Sequence, residues 1–115
     1  MMIATEILYL EKEWNEMDSL ALTENVKALL HHQGYTTYKE RLNILMEITG
    51  LTKFAVAAWM NHSRKNVKIP FLKVCQIADH FQIDLYMILK EYECEEDDSS
   101  EKYIKISDQM FGNNL

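Results

Sequence analysis

The chain has 115 residues, 48% of them apolar, with 3 Gly, 1 Pro and a formal net charge of −6, which fits one compact, mostly helical unit rather than two domains or a disordered polymer. No apolar run approaches the roughly 20 residues that cross a bilayer, and the start lacks the basic and apolar regions of a signal peptide, so a cytoplasmic protein with no membrane partner is expected. Cys75 and Cys94 stand 19 apart with neither CxxC nor histidine spacing around them, a pattern of one buried and one surface thiol rather than a metal site or disulfide framework.

Ile3, Ile7, Leu10, Trp14 and Met17 recur at steps of four and three, which places them on one stripe of a first helix with Glu6, Glu11, Glu13 and Glu16 among its polar positions. The spacing is that of a coiled-coil seam but lasts only about two heptads, so the stripe either docks on the rest of the chain or pairs with a second subunit. Residues 1–17 form this amphipathic segment, and residues 18–92 the main domain. Asp18 and Ser19 are cap-type residues. A second helix is expected from about Leu20 to His32, with Leu22, Val26, Leu29 and Leu30 inward and Gly34 as its stop.

Thr37-Tyr38-Lys39-Glu40 has the spacing of a capping box and opens a third helix carrying Leu42, Leu45, Met46 and Ile48. Gly50 supplies the tight turn that leads into a fourth helix, capped by Thr52, on which Val56 and Trp59 share an inward face. His62 to Lys68 has no periodicity and reads as a basic loop. Pro70 suits the first turn of a fifth, core helix with Phe71, Leu72, Val74, Cys75, Ile77, Ala78 and Phe81, and Asp84 caps a short sixth with Leu85, Ile88, Leu89 and Tyr92. Residues 93–115 form an acidic tail in which residues 93–100 read as a solvated tail or linker, after which Tyr103-Ile104-Lys105-Ile106 alternates weakly like a short strand.

Three segments between Leu20 and Tyr92 together resemble the five-helix DNA-binding domain of the lambda-repressor and Cro (XRE-type) superfamily. They are Glu24 to Leu30 ending at Gly34, Gly50 to Trp59 with Asn61, and Ile69 to Phe81 followed by Asp84 to Leu89. The resemblance implies an all-α, lambda-repressor-like helix-turn-helix domain, here with an extra N-terminal helix and an acidic tail. It further implies that the helix at 52–61 presents its N-terminal turn to base edges, with Lys53, Phe54 and Ala57 facing duplex DNA. Thr37, Lys39, Arg64, Lys65 and Lys68 would hold phosphates.

Two departures bear on that reading. The segment between Gly34 and Gly50 is 15 residues long, where the family usually has about ten, and Phe54, Ala55, Ala57 and Ala58 stand where Ser, Thr, Gln or Asn are common. Base reading would then fall to Phe54 and Ala57 on thymine methyls and to Lys53, which implies shallow specificity.

Charge is unevenly spread: residues 36–92 hold eight basic against five acidic groups, whereas 1–35 and 93–115 are net acidic. A basic middle suits phosphate, and a solvated surface explains it too. The function expected is a Cro- or repressor-type transcription regulator of the phage or mobile-element kind, a homodimer without cofactor. The alternative is a helix-turn-helix fold turned to protein binding through an apolar patch at Phe54, Ala57 and Ala58. His31, His32, His62 and His80 lack metal-ligand spacing, and neither a nucleophile elbow nor a glycine-rich phosphate loop is present, so no enzyme is expected.

Overall fold

The structure is a computed structural model that describes residues 3–60, 67–93 and 102–112. In chain order the helices are α1 (Ala4–Glu16), α2 (Ser19–His32), α3 (Tyr38–Thr49), α4 (Lys53–Met60), α5 (Phe71–His80), α6 (Leu85–Leu89) and α7 (Lys102–Met110). The fold class is therefore all-α, and no described helix is long and apolar enough to cross a membrane.

Helix α2 is the axis of the core. Leu22, Val26, Leu29 and Leu30 are fully buried, as their spacing predicts, and they meet Leu45 of α3, Val56 of α4, Val74 and Ile77 of α5 and Ile88 of α6 in one apolar cluster. Removing one such leucine to alanine costs about 2–5 kcal/mol. The caps follow the sequence closely. Asp18 accepts from the amides of Leu20 and Ala21, Asp84 accepts from Tyr86, and Thr37 with Glu40 forms the reciprocal capping box. Pro70 sits one position earlier than expected, as the N-cap of α5, where its carbonyl accepts from Lys73 and Val74. Of the positions expected in this core helix, Leu72 is instead 73% exposed.

A helix leaves its last carbonyls without partners, and here four helix ends borrow a side chain from elsewhere. Lys68 Nζ donates to the Trp14 and Asn15 carbonyls at the end of α1, and Lys73 Nζ donates to Thr49 O at the end of α3. Thr23 Oγ1 donates to Trp59 O of α4, and Asn25 Nδ2 to Ile88 O and Lys90 O around the end of α6. Both lysines place a cation at the negative end of a helix dipole. Thr23 and Asn25, polar residues amid the apolar face of α2, are buried for this purpose.

The first helix docks over its second half. Leu10 and Met17 are buried, Trp14 tilts against Phe71 at 6.2 Å between ring centroids, and its indole N–H donates to Ile69 O at 2.8 Å. The stripe then outruns the domain, leaving Ile3 61% and Ile7 40% exposed.

Residues 103–106 are not a strand: they lie within Lys102–Met110. This segment is the helix α7, packed along α2. The four-residue alternation misleads because the helical period lies in a longer window: Ile106, Ser107 and Met110 are the buried positions, with Tyr103 half-buried above them. Tyr103 lies under the cations of Lys27 (4.8 Å) and Arg41 (5.2 Å), and Phe111 stacks on His32 at 3.6 Å.

Candidate nucleic-acid interface

Helices α3 and α4 pack against each other across a three-residue turn, Gly50-Leu51-Thr52, the length and composition of a helix-turn-helix connection. Gly50 adopts φ 71°, left-handed, and its amide donates to Met46 O at 2.9 Å. A side chain at this φ would be strained. Thr49 fixes the turn from within, its hydroxyl donating to Leu45 O at 2.6 Å and accepting from the Leu51 amide at 3.3 Å. Lys73 fixes it from outside by holding Thr49 O at 3.2 Å.

Thr52 caps α4 as its position predicts, accepting from the Ala55 amide at 3.3 Å, and Val56 and Trp59 are buried. The outward residues are Lys53, exposed, and Phe54, 89% exposed. Such exposure of a whole phenyl ring is unusual on a small domain, since burial of that ring elsewhere gains about 1.5–3 kcal/mol. Ala57 is half-buried and packs against the core cluster, so it presents only an edge beside Phe54.

The other sequence-derived positions separate into three groups. Lys39 and Thr37 lie exposed at the start of α3. Thr37 is already engaged: its hydroxyl donates to Glu40 Oε1 at 2.9 Å, its amide donates to the same oxygen at 3.1 Å, and it accepts from the Glu40 amide at 3.1 Å. These bonds, the side-chain one first, hold the Glu40 carboxyl below its ordinary value, so the start of α3 carries a fixed anion. Lys68 turns inward; besides closing α1 its ammonium lies 4.4 Å from the Trp14 ring centroid. Partial burial lowers its pKa from the usual lysine value, against the pull of Asp18. Arg64, Lys65, Asn61, His62 and Cys94 lie outside the described residues.

Sequence reasoning missed Arg41 as a structural residue. It is 7% exposed, donates from Nη1 to Tyr35 O at 3.3 Å and lies against Tyr103, a long-range contact that no local spacing announces. Cys75 is half-buried rather than buried, and burial raises its thiol pKa. Among the described residues no three of His, Cys, Asp and Glu converge as a metal site. Comparison with protein-family models, with curated proteins and with solved structures finds no match.

Proposed function

We propose that this protein is a small helix-turn-helix transcription regulator that binds duplex DNA through the N-terminal half of α4 and acts as a homodimer. The observation that carries this reading is the α3–turn–α4 unit. Its glycine is left-handed, its turn has three residues, and the first turn of α4 offers Lys53 and Phe54 to solvent with no carboxylate among its residues. The likeness of 20–92 to lambda-repressor-type domains supports the same assignment.

In this mechanism Lys53 meets a phosphate or a guanine edge while Phe54 lies against a thymine methyl, with Ala57 beside it. Arg64 and Lys65, just after α4 in sequence, add phosphate contacts; Lys68 belongs to the α1 dock instead. Without an amide or guanidinium to read bases bidentately, discrimination is shallow and affinity strongly salt-dependent. The assay is a salt-titrated fluorescence-anisotropy measurement on random duplex DNA. Binding that falls log-linearly with salt supports the proposal, and no binding at low salt removes it.

A second reading is favoured by the 89% exposure of Phe54 together with the net charge of −6. The same face would then dock a protein, as in an antirepressor or adaptor. Loss of a stoichiometric protein complex on Phe54→Ala, with no duplex binding by the wild type, is its signature.

A further inference from the structure

Helices α1 and α6 pack against each other, and their C-terminal turns border an open groove of about 380 Å³. Met17 and Leu89, both buried, give it an apolar base. Around them stand Glu13 and Glu16 of α1, Tyr86 of α6, and Lys90 and Glu91 just past its end. Tyr86 is 42% exposed, so its ring is open to a ligand. Two features of this groove favour a cation. Three carboxylates face one ammonium, and that ammonium, Lys90 Nζ, lies 5.5 Å from the Tyr92 ring centroid; none of the three carboxylates forms an ion pair among the described residues. Independently, Glu13 and Glu16 occupy the last turn of α1, which has no basic residue. Carboxylates there oppose the helix dipole, whose negative pole is at this end. Lys68 relieves the same end through the Trp14 and Asn15 carbonyls but takes no part in lining the groove. The chain thus holds anions where local helix physics disfavours them, and a cation from outside offsets them.

We propose that the α1–α6 groove docks a basic segment of a partner protein, one arginine of which lays its guanidinium on the Tyr86 ring and pairs with the surrounding carboxylates. Charge complementarity selects this partner. An arginine fork pairs with carboxylates bidentately, stacks on a tyrosine face and is more weakly hydrated than an ammonium. Its aliphatic stem suits the apolar base of Met17 and Leu89. The net charge of −6 attracts the same partner at long range.

No residue of the groove belongs to α3 or α4, so the proposal stands apart from the DNA reading and its test contains no DNA. The probe is a fluorescein-labelled peptide of arginine and alanine, titrated with the full chain at near-physiological salt and followed by anisotropy. It should bind saturably. Glu13→Gln with Glu16→Gln should weaken binding about tenfold. Glu47→Gln with Asp108→Asn removes the same charge from exposed positions outside the groove and should leave affinity within about twofold. Tyr86→Ala, at unchanged net charge, should weaken binding about threefold, and a lysine–alanine peptide of equal charge should bind less tightly than the arginine one. Circular dichroism confirms that each variant is folded. No saturable binding by the wild type, equal losses from the two charge pairs, an unaffected Tyr86→Ala, or a lysine peptide that binds as tightly overturns the proposal.

Discussion

Helices α3 and α4 both begin on a threonine cap, Thr37 and Thr52, yet their ends are chemically opposite. At α3 the cap is closed by Glu40, whose carboxylate accepts from both the hydroxyl and the amide of Thr37. At α4 the corresponding third position is Ala55, which offers only its amide to Thr52, and Lys53 and Phe54 extend into solvent. The first end has satisfied its own dipole with an internal anion; the second has not. An incoming phosphate is repelled at one and attracted at the other. The difference teaches that two helices with the same cap residue can differ in how open their N-terminal ends are to an anion, through the residue three positions on.

The largest effect should come from inverting the open end. Lys53→Glu should lower affinity for every duplex by about tenfold or more and reduce the log–log salt slope by about 0.9, as expected for loss of one phosphate contact. Anisotropy at several salt concentrations measures both, and an unchanged slope would show that Lys53 does not touch DNA. Next are the caps. Thr37→Ala, which dismantles a reciprocal box, should destabilise the fold by about 1–2 kcal/mol, and Thr52→Ala by about 1 kcal/mol or less, read from urea denaturation. The reverse order would mean that the α4 cap carries more of the fold than its geometry indicates.

Acid titration sharpens the same contrast. Because hydrogen bonds from Thr37 lower the Glu40 pKa in the folded state, its contribution is present above the ordinary carboxylate value. It is lost as pH falls from there through the lowered folded value. Glu40→Gln should therefore flatten that part of the acid limb of melting temperature against pH, and an unaltered limb would contradict the assignment. Smallest is Phe54→Ala. With the ring 89% exposed, stability should change by less than about 0.5 kcal/mol while preference among duplex sequences shifts. Equal losses on every sequence would count against a thymine contact.

Much of this was legible in the chain because it is written locally. The α2 stripe, the Thr37–Glu40 box, the Gly50 turn and the Asp18, Thr52 and Asp84 caps depend on residues within one or two turns, and each stands where its spacing places it. What escaped depends on distance in sequence. Thr23 and Asn25 are polar letters in an apolar helix whose purpose appears only where the chain brings the ends of α4 and α6 back to them. Lys68 sits in a basic run that suggests phosphate, yet its ammonium reaches back 54 residues to Trp14. For α7, acidic flanks and a four-residue alternation outweighed the helical spacing of Ile106, Ser107 and Met110, because only docking on α2 gives that face something to bury against. At the candidate interface, the exposure of Lys53 and Phe54 and the burial of Val56 and Trp59 followed from periodicity. The closure of the α3 end against anions followed from which oxygen Glu40 offers to Thr37.

The most direct test of the open α4 end is a two-dimensional amide NMR titration of the full chain with random duplex DNA at low salt. The amides of Thr52, Lys53, Phe54 and Ala57 should move progressively, while those of Thr37 and Glu40 stay near their free positions. Shifts centred on Thr37–Glu40 with residues 52–57 unmoved, or no shifts at all, would contradict the account.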